Sequence, residues 1–164
     1  MTKTAEVLGT AAQQSGGLQA RDCRFAIVAA RYNEDIVDAL LQGARTAWTA
    51  NGGTEEMLRI ERVPGAFELP LAARAFALEG SVDAVVALGC VIRGDTAHFD
   101  FVAGECAHGL QRVMLDSGVP VSFGVLTVEN HAQALERASP DALNKGGEAV
   151  TTALAMVDLL RRLK

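Results

Sequence analysis

The sequence predicts an α/β fold of three layers, with a four-stranded parallel sheet between two layers of helices. Three observations lead there. Short apolar runs of strand length alternate strictly with segments of helical spacing from Arg24 onward. The links between them are short, as parallel crossover units require. The run from Asp83 to Ile92 is apolar almost throughout, which suits a parallel strand covered on both faces.

Taken in order, FAIVAA (Phe25–Ala30) is the first strand, followed by ARYN at its carboxyl end. Ile36, Val37, Leu40, Leu41, Ala44 and Trp48 then recur on one helical face, with Asn33 placed as the N-cap and Asn51-Gly52-Gly53 as the stop. MLRIERV (Met57–Val63) alternates and reads as the second strand, cut by Pro64-Gly65. AFELPLAARAFALEG makes the next helix, with Pro70 in its opening turns, where a missing N–H costs least. The third strand follows. Phe101, Val102, Leu110, Val113 and Met114 mark a helix whose apolar side anchors it to the sheet, ending at Gly118. VPVSFGVLT (Val119–Thr127) is the fourth strand, HAQALERA a short helix broken by Ser139-Pro140, and Gly146 to Leu163 the last helix. Right-handed crossovers turn this order into a doubly wound, flavodoxin-like sheet.

At 164 residues, nearly half of them hydrophobic, the chain has material for one domain. We place that domain at 23–164, preceded by a small, polar, flexible segment over 1–22. A sheet of four strands is small for so apolar a chain, and self-association is expected. The net charge of −5, with no basic run longer than Arg161-Arg162, argues against a nucleic-acid partner. The longest apolar run, Ala84–Leu88, is far short of the roughly 18–20 residues a membrane span needs. The opening residues carry no signal-like apolar core, and the three cysteines are scattered without a C-x-x-C. The expectation is a cytoplasmic protein with reduced thiols.

Ligands of open parallel sheets bind at the carboxyl ends of the strands. Here those ends carry Arg31-Tyr32-Asn33, then VPGAFE (Val63–Glu68), then VIRGDTAH (Val91–His98), and finally the Phe123-Gly124 region. His98 falls in the first turn of a helix, where the dipole favours a neutral imidazole able both to take and to give a proton. A lone histidine is more often a surface or capping residue. The glycine, carboxylate and hydroxyl beside it (Gly94, Asp95, Thr96) favour the functional reading. His108 and His131 have no such company and read as structural or solvated. Asp95, His98 and Asp100 lack any zinc-type spacing, so no metal is expected. Gly94-Asp95-Thr96 at a helix N-terminus is an anion site in type, though neither a Walker loop nor a dinucleotide fingerprint.

A second group, ERASPDALNKGG (Glu136–Gly147), offers Arg137 as a bidentate phosphate clamp and Lys145-Gly146 as a cation beside free helix N–H groups. Alone it reads as a solvated helix-helix loop. Tyr32, Phe67 and Phe123 are three of eight aromatic residues and all fall near strand ends, where flat rings could stack on a planar heterocycle. Unaided, the residues describe a protein that binds a flat heterocycle and a phosphorylated small molecule, with one histidine for proton transfer.

ARYN, VPGAFELP, ALGCVIRGDTAHFDFV, PVSFGVLT, ENHAQALERA and NKGGEA occur in an order and spacing that resemble the lumazine synthase family over Phe25 to about Leu160. The resemblance implies condensation of 5-amino-6-(D-ribitylamino)uracil with 3,4-dihydroxy-2-butanone 4-phosphate to 6,7-dimethyl-8-ribityllumazine, phosphate and water, without metal or organic cofactor. By position it implies that Tyr32 stacks on the pyrimidine, with Asn33 beside it. Ala66, Phe67 and Glu68 would meet the ring and ribityl chain, and Cys90, Val91 and Ile92 would line the ring edge. Asp95 and Thr96 would border the phosphate, and His98 would move protons. Phe123 would close over the ring, while Arg137, assisted by Lys145, would hold the phosphate. Arg93 reads as structural.

The family also implies a homopentamer with each site at a subunit interface, the Phe123, Arg137 and Lys145 set coming from a neighbour. Some members build icosahedral shells. The N-terminal segment would add a strand to a neighbour's sheet. Ser139-Pro140 and Leu143 stand where a glycine-rich loop is common in the family, which bears on shell formation. Two related readings are an archaeal-type riboflavin synthase and a non-catalytic flavin-binding or shell-forming paralogue; a generic phosphate-sensing module is more distant. Joint presence of Tyr32, His98, Arg137 and Lys145 argues against the non-catalytic reading.

Overall fold

The computed structural model describes residues 19–164, so the expected pairing of the N-terminal segment lies largely outside the described residues. The four strands are β1 (Phe25–Ala30), β2 (Leu58–Val63), β3 (Ala84–Ile92) and β4 (Val121–Val128), all parallel in the order β2-β1-β3-β4. The helices are α1 (Glu34–Ala50), α2 (Leu69–Glu79), α3 (His98–Ser117), α4 (His131–Ala138) and α5 (Lys145–Arg162). Short 3-10 turns at Ala20–Asp22, Glu55–Met57 and Ala66–Glu68 precede β1, β2 and α2. The three-layer α/β expectation holds, strand by strand.

Side-chain alternation along the strands builds two cores from one sheet. Phe25, Ile27 and Ala29 of β1, with Ala84, Val86 and Leu88 of β3, pack against Ile36, Leu40, Trp48, Val150 and Leu154 of α1 and α5. Ala26, Val28, Val85 and Ala87 point the other way, onto Leu69, Phe76, Cys106 and Leu110 of α2 and α3. β1 throughout, and β3 as far as Cys90, are therefore buried, which is why FAIVAA and AVVALGC carry no polar residue. Trp48 satisfies its buried ring nitrogen by donating to the Thr54 carbonyl at 2.9 Å and tilts against Phe25 at 4.9 Å.

Helix ends follow the local chemistry, with two departures. Gly118, at φ 70°, is the left-handed stop of α3. Asn33 does occupy the N-cap position of α1, in the left-handed region at φ 58°, but its side chain makes no capping bond. At α5 one of the expected free N–H groups is already taken. Asn144 caps it by accepting from the Gly147 N–H at 3.1 Å, and Gly146 is buried in the crossing with α1. A methyl at Gly146 would lie 1.9 Å from the Leu40 carbonyl oxygen, so only glycine permits this approach of α5 to α1.

Ala20 is fully buried and donates its backbone N–H to the Asn51 carbonyl, so residues just before β1 already pack on the end of α1. Among the described residues no helix is long and apolar enough to cross a membrane.

Candidate active site

The chain leaves β1 toward β2 on one side while β3 flanks it on the other, so the loops above β1 and β3 part and open a crevice. A cavity of about 660 Å³ fills it. Its walls come from three strand ends: Tyr32 after β1, Pro64 to Glu68 after β2, and Cys90, Val91 and Ile92 closing β3. Gly94, Thr96 and His98 continue the β3 wall onto α3. Aromatic, apolar and polar groups thus converge from three segments that are distant in sequence, which is the arrangement the strand-end reasoning led to.

The backbone holds these loops in place. Arg31 and Tyr32 donate N–H groups to the carbonyls of Val63 and Pro64, tying the β1 exit to the β2 exit. Arg93 donates its N–H to the Val128 carbonyl, continuing the β3–β4 ladder past Ile92. The Arg93 side chain then pairs with Asp100 at 3.1 Å and Glu129 at 3.2 Å and lies 4.1 Å over the Phe99 ring. Both carboxylates, Asp100 first, hold the guanidinium protonated still more firmly. Arg93 is thus spent on fixing the turn, in keeping with its structural reading. Thr96 accepts from the His98 N–H at 3.4 Å, a weak bond closing the same turn.

His98 is exposed on the first turn of α3, with Phe101 and Val102 beside it on the same helical face. This corrects the reading of Phe101 as a core anchor. It is 68% exposed and lines the cavity, as does Phe99. The signal was available: residues three and four positions after a rim-facing histidine share its face. Tyr32, 74% exposed, and Phe67 complete an aromatic lining that no other group of this chain covers among the described residues.

Two expected residues do not reach this wall. Asp95 is exposed but does not line the cavity, and Asn33 turns its amide into the protein, donating Nδ2–H to the Cys90 carbonyl at 2.9 Å. The Cys90 thiol, pushed up to about 11 chiefly by burial and further by the Asp35 charge, is no nucleophile near neutral pH. Among the described residues no group of three His, Cys, Asp or Glu side chains is placed to hold a metal ion.

Phe123 also departs from expectation. It sits near the start of β4, opposite Ala87, rather than at the strand's carboxyl end, because the strand runs on to Val128. Its ring lines a second cavity of about 430 Å³ between β4 and α5, together with Arg137, Lys145, Glu148 and Thr152. The two cavities share no lining residue. Arg137 is half-buried, donating to the Gln133 carbonyl at 3.1 Å, with Glu136 at 3.6 Å. Lys145 pairs with Glu148 at 2.5 Å. Within one chain, then, the rim offers apolar rings, backbone groups and an imidazole, while the β4 edge offers the cations and a ring.

His131 joins the first turn of α4 to the first turn of α1 through Asp35, at 2.7 Å, and this hydrogen bond holds the Asp35 carboxyl below the ordinary carboxylate range. Among the described residues His108 pairs with Glu105, at 4.0 Å. Neither histidine lines the rim cavity.

A family profile described as 6,7-dimethyl-8-ribityllumazine synthase matches residues 22–161. A 6,7-dimethyl-8-ribityllumazine synthase of Halorhodospira halophila is 56% identical over 144 residues, covering 88% of this chain and 92% of the relative. Proteins of the same name from Chlorobium limicola and Chlorobium phaeovibrioides are 51% and 49% identical, each covering 92% of this chain and 97% of the relative.

Proposed function

The chain belongs to the 6,7-dimethyl-8-ribityllumazine synthase family, a transferase of riboflavin biosynthesis, and we propose that its rim cavity and its β4 edge are the two halves of that enzyme's site. The observation carrying this reading is the separation of the two cavities. The group that would take a heterocycle and move protons stands on the rim, and the cations that would take a phosphate stand on α4 and α5, beside Phe123 of β4. A second copy placed edge-on would bring Phe123, Arg137 and Lys145 of the partner subunit over the first copy's rim and complete one site per interface. A head-to-tail contact of this kind generates a ring, and a homopentamer is the assembly we infer from the family.

On the rim, Tyr32 supplies a face for the pyrimidine, with Ala66, Phe67 and Glu68 along the ring and ribityl chain. Cys90, Val91 and Ile92 supply the edge, where strand carbonyls and N–H groups can read a uracil. The phosphate of the butanone lies between the Gly94–Thr96 turn, with Asp95 at its border, and Arg137 of the partner subunit, with Lys145 of the partner subunit adding charge.

The pyrimidine amine attacks the butanone carbonyl, and loss of water leaves an imine. Removal of a proton from the adjacent hydroxyl-bearing carbon allows the carbon–oxygen bond to phosphate to break, the departing dianion being met by guanidinium, ammonium and turn N–H groups. The resulting enol returns to a ketone, the ribitylated nitrogen closes on it, and a second water leaves. His98 takes and returns the protons. Holding two substrates in register supplies a large part of the acceleration. No step calls for a metal or an organic cofactor, and the cytoplasm, where three free buried thiols stay reduced, is the compartment proposed.

The deciding experiment incubates the purified protein with both substrates and follows the fluorescence and absorbance of the lumazine. Product formed only when both are present supports the reading. Consumption of lumazine supplied alone, or no product at all, overturns it.

A further inference from the structure

Asn33 stands out among residues near the rim because its backbone is strained and its side chain faces away from the cavity. It holds φ 58° and ψ 52°, a left-handed conformation that a residue with a Cβ adopts only at a cost, though asparagine bears it better than most. The usual compensation, capping the helix it precedes, is absent. Its amide instead donates to the Cys90 carbonyl, 57 residues along the chain, at 2.9 Å.

The reason lies at the parting of β1 from β3. Val85 and Arg93 donate their N–H groups toward the β4 side, to Pro120 and Val128. Strand alternation therefore turns the intervening even-numbered residues, Cys90 included, toward β1. But β1 pairs with β3 only as far as Ala29 opposite Leu88 and ends at Ala30. Cys90, 3% exposed, would have its carbonyl facing a strand that has already left. A buried carbonyl without a donor is unfavourable. The Asn33 amide takes the place of the missing strand.

We propose that Asn33 is a positioning residue of the synthase site, a clasp that sets the spacing between the stacking face at Tyr32 and the ring-edge strand Cys90-Val91-Ile92. Tyr32 is its immediate neighbour on one side of the clasp, and Val91 follows Cys90 on the other. Both walls line the same cavity. The inference rests on the two-half-site reading for its consequence in catalysis, but the clasp can be tested apart from activity.

Asn33→Gly keeps the left-handed backbone and deletes the donor. Asn33→Asp keeps the shape and presents a carboxylate to the carbonyl at neutral pH, regaining an O–H donor when protonated. In the two-substrate assay, Asn33→Gly raises KM for the pyrimidine about tenfold while KM for the phosphorylated substrate stays within about twofold. Asn33→Asp matches it near pH 8, where its carboxylate offers the Cys90 carbonyl no donor. Independently, reaction of the native protein with a thiol reagent, resolved by peptide mass spectrometry, is faster at Cys90 in both variants at pH 8 and unchanged at Cys23 and Cys106.

Wild-type values of both KM and Cys90 protection in Asn33→Gly overturn the clasp. So does an equal rise of both KM values with all three cysteines opening, which marks general loosening. If the wild-type protein forms no lumazine, the functional reading fails, and the Cys90 protection data alone decide the clasp.

Discussion

Arg93 lies over Phe99, its guanidinium carbon 4.1 Å from the ring centroid, and from there it reaches Asp100 on α3 and Glu129 after β4. One side chain thereby joins the exit of β3, the first turn of α3 and the exit of β4. The residues between its anchor points are Gly94 to His98, the turn proposed for phosphate and proton transfer.

Replacing Arg93 with methionine keeps much of the stem and removes the pairs. Exposed ion pairs contribute little to stability, so the melting temperature should stay within a few degrees of wild type. Catalysis should suffer more, because a loosened turn misplaces His98; kcat should fall roughly tenfold. Calorimetry paired with steady-state kinetics checks this. A melting temperature that collapses while kcat per folded molecule is unchanged would make Arg93 a stability residue only.

The division of the site between rim and edge predicts complementation. His98→Ala should lower kcat by about a hundredfold and leave product binding near wild type. Arg137→Ala should chiefly raise KM for the phosphorylated substrate. Co-expressed in equal amounts, the two variants should recover activity, since in a head-to-tail ring about one interface in four pairs an intact rim with an intact edge. Mixtures that show only the average of the two variants would place both halves in one subunit.

The three buried thiols give the alkaline limb of stability a definite sign. Burial raises Cys106 from its ordinary 9.0 to about 12, and Cys23 and Cys90 to about 11. Between pH 9 and those values the folded protein holds protons that the unfolded chain releases. Stability is therefore full below pH 9 and declines as pH rises through 11 to 12. Urea midpoints measured from pH 7 to 11 should fall above pH 9, and Cys106→Ala should flatten the fall at some cost to stability near neutrality. Midpoints that hold steady up to pH 11 would contradict this.

Gly146→Ala tests the helix crossing. The added methyl meets the Leu40 backbone, which cannot rotate away, so α5 must shift from α1. A loss of about 3 kcal/mol or more in chemical denaturation is expected. The same substitution at Gly104, where a Cβ meets nothing within 4 Å, should be neutral or mildly stabilising. Equal effects at the two positions would mean that the crossing tolerates repacking.

Much of this protein was legible from residue order. Period-two and period-3.6 patterns set out four strands and five helices, because each element must bury one face or both. The strand-end rule then picked out Tyr32, Pro64 to Glu68, Val91, Ile92, Thr96 and His98, which the fold brings to one cavity. Chain pattern alone could not say where a side chain points once the regular element stops. Phe101 was read into the core, yet it shares the His98 face and lines the cavity. Phe123 was placed at a strand end that lies five residues further on, at Val128. Asn33 sits where a cap belongs, but its amide goes to a carbonyl left over by the parting of two strands. Local sequence determined the elements because burial periodicity is a local property. Tertiary structure decided the division of the cations from the rim and the use of the Asn33 amide, because both depend on which strands lie side by side and where each one ends.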